Sequence, residues 1–311
     1  MTPLCAQIVR EHMVRRGRAR KAAFRALVRE HMREQGVFLR EERARGLFEN
    51  VNLVCGNVER ADVVIGAHYD TCAEMPFPNL VAPLNWPVTL LYQLGLVACM
   101  ALCALLPALA ARALGAAPWV YWPVFGAGML AMSALMVFGP ANPRTMNDNT
   151  SGVVAALTLL SRMTRAQRSR VAVVLFDNEE MGLIGSTLFR RRHARAMEGT
   201  PLINLDCVGE GRTALFAAGA AYRADEDLWA RTRSAFPSGE YEALHLPAWR
   251  AFYPSDQFGF KKSLAVATLR RARGVGPMLG RIHTRRDTVL DEANIDYIVE
   301  GLLRLIGDED E

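Results

Sequence analysis

Residues 63–70 read Val63-Val64-Ile65-Gly66-Ala67-His68-Tyr69-Asp70, five small or apolar residues that run directly into a histidine and an acid. Such an apolar run is typical of a buried strand, and open α/β sheets place their sites just beyond strand ends. Helical patterns separate this strand from other apolar runs. The alternation predicts an α/β fold with a mixed, largely buried sheet flanked by helices. The other predicted strands are 51–54, 171–176, 202–205, 214–217 and 264–268, and the predicted helices are 152–163, 183–196, 226–236 and 293–305.

The composition is that of a globular chain with free thiols. Of 311 residues, 51% are hydrophobic and 22% are charged, which excludes a disordered chain or a polar linker. The 6 cysteines show no paired spacing, which disfavours a disulfide scaffold and a cysteine-type zinc finger. We therefore expect reduced thiols.

Residues 1–48 form a basic arm with helical periodicity. The arm holds 12 of the 37 Lys and Arg residues and 5 of the 32 acids, a surplus of seven positive charges, whereas the whole chain nets +5. A nucleic-acid surface would interleave aromatic side chains along its binding face, and the arm offers only Phe24, Phe38 and Phe48. We therefore expect no nucleic-acid partner, and interpret the arm as a solvated helix face or a membrane-surface segment.

A segment almost free of charge, 76–143, interrupts the alternation of strands and helices. Arg112 is its one formally charged residue, and it separates two apolar runs at 88–111 and 118–139. Each run is long enough to cross the hydrocarbon core of a bilayer. The segment therefore predicts a transmembrane helical hairpin, and the alternative is a pair of buried core helices in a soluble protein.

Small residues predict which faces of the two hairpin helices meet. Gly95, Cys99 and Cys103 recur at four-residue steps in the first run, and Ala127 and Ala131 do so in the second. Small side chains allow close approach of transmembrane helices. These residues are the predicted contact face.

Acids and histidines follow the predicted strands and the hairpin. They include His68, Asp148, Glu180, Asp206 and His283. Together these five form an oxygen and nitrogen ligand set suited to zinc or a similar divalent ion.

The order of these residues resembles the M28 family of co-catalytic zinc aminopeptidases. The resemblance covers residues 51–75 and 141–311, and implies the zinc-exopeptidase fold. Successive blocks carry it: Gly66-Ala67-His68-Tyr69-Asp70, Asn147-Asp148-Asn149-Thr150-Ser151-Gly152, Glu179-Glu180-Met181-Gly182-Leu183-Ile184-Gly185-Ser186, Asn204-Leu205-Asp206-Cys207-Val208-Gly209, Ser255-Asp256-Gln257 and His283-Thr284.

The resemblance implies a role for each site residue around two divalent metal ions, most simply zinc. His68 and Asp206 would bind the first ion and Glu180 and His283 the second, with Asp148 bridging both. Asp70 would orient His68, and Glu179 would be the general base that takes a proton from the metal-bridging water. Asp256 and Gln257 are the implied substrate contacts. The family often has tyrosine before the last ligand histidine, and here that position is Ile282.

Three segments follow from these interpretations: the helical arm at 1–48, a catalytic domain at 49–75 and 144–311, and the hairpin at 76–143. We expect a multi-pass protein of the cell membrane that hydrolyses N-terminal peptide bonds, with apolar peptides as candidate substrates. The hairpin would contact the bilayer, with the basic arm as a second candidate. The absence of a signal-peptide pattern, the free thiols and the basic arm favour a cytoplasmic catalytic domain.

Other functions on this fold stay open. A carboxypeptidase, an amidase or a glutaminyl cyclase-like acyltransferase would use related residues, and a receptor or scaffold domain would have lost its metals. A cyclase-like centre would hold one zinc and release a cyclised N-terminus. Metal stoichiometry and product analysis therefore separate these functions.

Overall fold

A nine-stranded mixed sheet forms the centre of the molecule. The computed structural model describes residues 1–46 and 48–307. The strand order is β1-β2-β4-β3-β5-β8-β6-β7, and β9 pairs with β8. The strands are β1 (Leu39–Ala44), β2 (Asn50–Cys55), β3 (Val63–His68), β4 (Val171–Phe176), β5 (Leu202–Leu205), β6 (Thr213–Ala218), β7 (Glu242–Pro247), β8 (Ser263–Ala272) and β9 (Gly276–Met278).

Helices cover the sheet and extend from it. They are α1 (Pro3–Glu11), α2 (Arg18–Glu34), α3 (Trp86–Ala113), α4 (Tyr121–Phe138), α5 (Gly152–Arg162), α6 (Arg165–Arg170), α7 (Ile184–Arg192), α8 (Ala220–Ala224), α9 (Glu226–Ala235) and α10 (Glu292–Ile306). All six predicted strands and all four predicted helices occur, so the predicted α/β class is confirmed.

The four central strands, β4, β3, β5 and β8, are parallel. Every residue of β4 and β5 is buried, because helices cover both faces of the sheet. Side chains on alternate sides of β3 accordingly enter different clusters, with Ile65 on the face of α5 and α10 and Val64 on the face of α7. Since parallel strands end at the same edge, residues that follow β3, β4 and β5 are brought together.

The basic arm is built into the main core. Cys5 and Ile8 of α1, and Phe24 and Met32 of α2, are fully buried in the cluster that also holds α5 and α10. The arm ends in β1, which pairs with β2 at the edge of the sheet. The division of the chain at residue 48 stays a prediction.

The segment between β3 and α5 contains two apolar helices, α3 and α4. Both are long and apolar enough to cross a membrane, and a 3₁₀ turn at 118–120 precedes α4. In the most apolar stretch of α3, 22% of the residues are buried, and in that of α4, 0% are buried. The base of the segment is closed, because Ala73 and Ala141 form an antiparallel bridge and the N–H of Glu74 donates to the Pro140 carbonyl at 2.8 Å.

The predicted contact face of these helices is wrong by one residue. The buried side chains of α3 include Leu96, Met100 and Ala104, each one position after a member of the predicted glycine and cysteine row, and Ala108 one turn later. A Cβ on Gly128 would lie 2.9 Å from Ala104 Cβ, whereas one on Gly95 would meet nothing within 4 Å. The close approach is therefore made by Ala104 and Gly128.

Candidate metal centre and its cavity

The predicted ligands come together at the carboxyl edge of the parallel strands. His68 ends β3, Glu180 follows β4 and Asp206 follows β5. Asp148 lies in the turn before α5, and His283 lies in the loop after β9. Three strand ends, the turn before α5 and the loop after β9 thus position side chains that are far apart in sequence.

Asp148 stands in the middle of two trios of polar atoms. Its Oδ1 lies 3.3 Å from Nε2 of His68, and that nitrogen lies 3.7 Å from Oδ1 of Asp206. Its Oδ2 lies 3.0 Å from Nε2 of His283, and that nitrogen lies 3.5 Å from Oε2 of Glu180. The two oxygens of one carboxylate therefore face two different histidine and acid pairs.

These donors fit a metal ion chemically. Among the described residues, Oε1 of Glu180 and Oδ1 of Asp206 are buried and accept no hydrogen bond, an arrangement that costs free energy unless a ligand compensates. Ligand atoms of His68, Asp148 and Asp206 lie within 4.8 Å of one another, and a further group joins Cys72 to Glu180 and His283. The cluster can therefore hold a divalent cation.

The charges of the cluster perturb its pKa values. Burial opposes protonation of His283, but the carboxylates of Glu180 and Asp148 outweigh it and raise the pKa to about 10. Burial raises the pKa of Glu180 to about 8. Burial also acts against ionisation of Asp148, yet His283 and His68 hold the pKa of its carboxyl group well below the ordinary value. The site is thus an anionic cluster that attracts positive charge, whether as protons or as metal.

Glu179 lies beside the cluster and lines the cavity. A carboxylate oxygen of Glu179, a ring nitrogen of His68 and a carboxylate oxygen of Glu180 lie within 4.8 Å of one another. Burial, with repulsion from neighbouring acids, raises the pKa of Glu179 well above its ordinary value. A carboxyl group with a raised pKa is suited to accept and return a proton near neutral pH.

Asp70 positions two parts of the site. Its Oδ1 accepts from the backbone N–H of Glu179 at 2.9 Å and its Oδ2 from that of Glu180 at 3.2 Å. Nδ1 of His68 lies 3.1 Å from the backbone oxygen of Asp70 and 3.7 Å from its Oδ1. With Nδ1 donating, a neutral His68 ring turns the lone pair of Nε2 toward Asp148, which is the tautomer a metal requires.

Two supporting residues were missed by the sequence analysis. The carboxylate of Asp287 accepts from the backbone N–H groups of Asn147 at 2.7 Å and Asp148 at 3.0 Å. Arg15 of the arm is fully buried and donates to the Tyr69 carbonyl at 2.5 Å and to Thr150 Oγ1 at 3.0 Å. A lone acid in a loop and one arginine among many carry no pattern, so the sequence offered no signal for either.

Backbone strain concentrates around the same residues. Of the four non-glycine residues with positive φ in the described chain, Asn178 precedes Glu179, Cys207 follows Asp206, and His283 is itself in the cluster. Each has a φ near 60°, a conformation that side chains with a Cβ rarely adopt. Such strain typically accumulates where surrounding structure fixes functional groups.

The predicted substrate contacts lie beside the cavity. Asp256 is fully buried, and burial raises the pKa of its carboxyl group to about 7. The amide of Gln257 donates to the Tyr253 carbonyl at 2.6 Å and accepts from Asn204 at 3.0 Å. Tyr253 and Pro254 line the cavity instead, so the roles of Asp256 and Gln257 stay predictions.

The cavity has a volume of about 330 Å³ and two dissimilar sides. His68, Asp148 and Glu179 are among the residues on the polar side. The other side is contributed largely by the hairpin and the loop before it, and includes Met75, Leu96 and Met136. The hairpin helices therefore share a cavity with the metal-binding cluster.

Comparisons with known proteins agree with the family resemblance and with the fold. The sequence model of peptidase family M28 matches residues 132–304. The chain is similar in structure to a glutaminyl cyclase of Porphyromonas gingivalis, with 18% identity and a TM-score of 0.60 over 97% of this chain and 96% of that one. A Zn-dependent exopeptidase of Parabacteroides distasonis shows 15% identity and a TM-score of 0.61 over 97% and 94%. No curated protein matches the chain.

Proposed function

The chain belongs to peptidase family M28, and we propose that it is a membrane-anchored, metal-dependent aminopeptidase that holds two zinc ions. The observation that carries the proposal is the position of Asp148, whose two carboxylate oxygens face two separate histidine and acid pairs. A shared carboxylate is what a pair of divalent ions requires, because it offsets their mutual repulsion. A site for one ion would need only one of the two pairs.

Each residue of the site has a separate role in the proposed reaction. His68 and Asp206 would hold one ion, Glu180 and His283 the other, and Asp148 both. When bound, the ions supply Lewis acidity that polarises the scissile carbonyl and makes water a better nucleophile. Glu179 takes the proton of the attacking water on its carboxylate and returns it to the nitrogen of the leaving amine.

The hairpin supports the membrane part of the proposal. Its largest exposed side chains include Leu91, Leu94, Leu106 and Leu130, which are 59–73% exposed. Helices of a soluble core would bury such side chains, whereas lipid-facing helices present them. Trp86 at the start of α3 and Trp119 and Trp122 near the start of α4 suit the headgroup level.

Sidedness follows from the closed base of the hairpin. Because Ala73 and Ala141 pair, both ends of the hairpin leave the domain at one place, and the domain lies on one side of the bilayer. The cysteines are unpaired, which supports a cytoplasmic location.

Alkaline carbonate extraction tests the membrane anchoring. It is expected to leave the full chain in the membrane pellet, and complete release would contradict the anchoring.

One experiment tests the reaction. The purified full chain in detergent is assayed on a panel of aminoacyl amides and N-blocked peptides, with metal content and products measured on the same sample. We expect two zinc equivalents, release of free N-terminal amino acids, loss of activity with a chelator and its return with zinc. One zinc and a cyclised N-terminus would identify a glutaminyl cyclase instead, and cleavage only at the C-terminus a carboxypeptidase.

A further inference from the structure

We infer that the transmembrane hairpin forms the specificity wall of the cavity, so that the enzyme selects peptides with a large apolar side chain at the cleaved residue. The inference rests on the proposed peptidase function and deepens it. It concerns residues of α3 and α4, none of which is a proposed metal ligand or proton carrier.

The wall is continuous with the metal-binding cluster. Leu96 of α3 and Met136 of α4 line the same cavity as His68 and Glu179. Leu96, with Met75 and Met100, belongs to a separate buried cluster, against which Met136 and other methionines pack. A substrate whose scissile amide lies at the carboxylates can therefore place its side chain against apolar surface in the same cavity, which has a volume of about 330 Å³.

Polarity falls along α3 away from its base. Thr89, Tyr92 and Gln93, the polar residues of its first turns, all line the cavity, and Leu96 follows one turn later. Thr89 Oγ1 donates to the Ala82 carbonyl at 3.0 Å, and the hydroxyl of Tyr92 donates to the Pro78 carbonyl. These two hydroxyls are bonded to the loop, and the amide of Gln93 is exposed near the base of α3, so the apolar surface offered to a substrate side chain begins at Leu96.

The wall is also held in place relative to the site. The N–H of Met75 donates to the His283 carbonyl at 2.8 Å, and Val81 pairs with Leu279 on the same side. Across the hairpin, Ala104 and Gly128 are in close contact. Methionine side chains are flexible and polarisable, so a wall rich in them accommodates several apolar shapes.

Burial separates wall residues from lipid-facing residues on the same helices. Leu96 is 8% exposed, whereas Leu94, two positions earlier, is 59% exposed. On α4, Met136 is half-buried and lines the cavity, whereas its neighbour Leu135 is 47% exposed. Leu94 and Leu135 are therefore matched controls for the wall.

The test compares leucinamide with alaninamide in the full chain. We expect the wild type to favour leucinamide in kcat/KM, and Leu96→Ala and Met136→Ala each to lower the ratio of the two values about tenfold, because a pocket loses affinity for a side chain it no longer fits. Leu94→Ala and Leu135→Ala are expected to keep the wild-type ratio. Calorimetric binding of L-leucinol and L-alaninol, which cannot be cleaved, gives the same comparison without turnover.

The outcomes distinguish the two proposals. An unchanged ratio in both wall variants, or an equal change in the controls, would overturn the wall. If the wild type cleaved neither amide nor any peptide, the proposed function would fail, and a Leu96-dependent preference for leucinol would still support the wall. Equal weakening of leucinol and alaninol binding would mean that the hairpin supports only the fold of the site.

Discussion

The two sides of the cavity are fixed by different physical means. Side chains on the polar side project from the ends of buried strands and from loops whose backbone is fixed by hydrogen bonds, such as those that the N–H groups of Glu179 and Glu180 donate to the Asp70 carboxylate. Those on the apolar side lie on the loop before α3 and on two helices that otherwise expose most of their surface. Substitutions on the polar side should therefore change chemistry sharply, whereas changes on the apolar side should alter preference gradually.

The largest effect is expected for Glu179→Gln. The amide cannot carry a proton, so turnover should fall by about 10³-fold while metal content is retained. Glu300→Gln, an exposed glutamate on α10, is the matched control. Measurement of kcat together with zinc content checks the assignment, and retention of half the wild-type activity would show that another group is the base.

A smaller effect on the same side is expected for Asp287→Ala. Loss of its carboxylate leaves the backbone N–H groups of Asn147 and Asp148 without their acceptor, so metal affinity should fall by about 10- to 100-fold. Competition with a chelator measures the affinity. Asp296→Ala removes a carboxylate that pairs with Arg162 at the surface of α10 and should leave the affinity unchanged, and an equal fall in both variants would remove the special role of Asp287.

On the apolar side, Gly128→Val tests whether helix contact fixes the wall. A Cβ at this position would lie 2.9 Å from Ala104 Cβ, so the two helices must separate, at a cost of about 1–3 kcal/mol. Gly126→Val is the control, because a Cβ there meets nothing within 4 Å. Thermal unfolding in detergent should show a lower midpoint for Gly128→Val alone, and equal midpoints would refute the close contact.

The smallest effect is expected for His193, a buried residue that lies away from both sides of the cavity and pairs with two glutamates. Burial disfavours the charged His193 ring, but hydrogen bonds to Glu42 at 2.9 Å and Glu59 at 2.8 Å outweigh it and raise its pKa. Protonated His193 therefore adds stability in full below about pH 6.5, and this is lost as pH rises through the raised value.

His193→Gln should accordingly be less stable than the wild type by about 1 kcal/mol more at pH 6 than at pH 9. Denaturant unfolding of both proteins across this range measures the difference. A gap that stays constant with pH would mean that the His193 ring does not change its charge in the folded protein.

The polar side of the cavity could be predicted from sequence, because histidines and acids are recognisable as metal ligands by residue type. His68 and Asp206 come at the ends of recognisable strands, Asp148 follows the hairpin, and the structure brings the three together. Asp287 could not be predicted, because its role depends on a fold that places its carboxylate under two backbone N–H groups. Strand β1 was also missed, because an edge strand reading Leu39-Arg40-Glu41-Glu42-Arg43-Ala44 carries the charges that protect an edge.

The apolar side was predicted in outline only. Hydropathy located both helices, but in α3 nearly every residue is small or apolar, so composition could not show which face meets α4. The predicted row at Gly95 and Cys99 is displaced by one residue from the buried row at Leu96 and Met100. A helix that is apolar all round has no periodicity from which its orientation could be read.

The place of β3 in the sheet has a consequence for how the protein is made. β3 pairs with β4 and β5, and with neither of the strands before it. During translation β3 therefore leaves the ribosome with both edges open, and residues 86–138 follow it before β4 exists. Under the proposed membrane anchoring, the hairpin would enter the bilayer before the upstream strands have paired with β4 and β5. Such a nascent intermediate exposes apolar strand surface and is prone to aggregation unless a chaperone holds it.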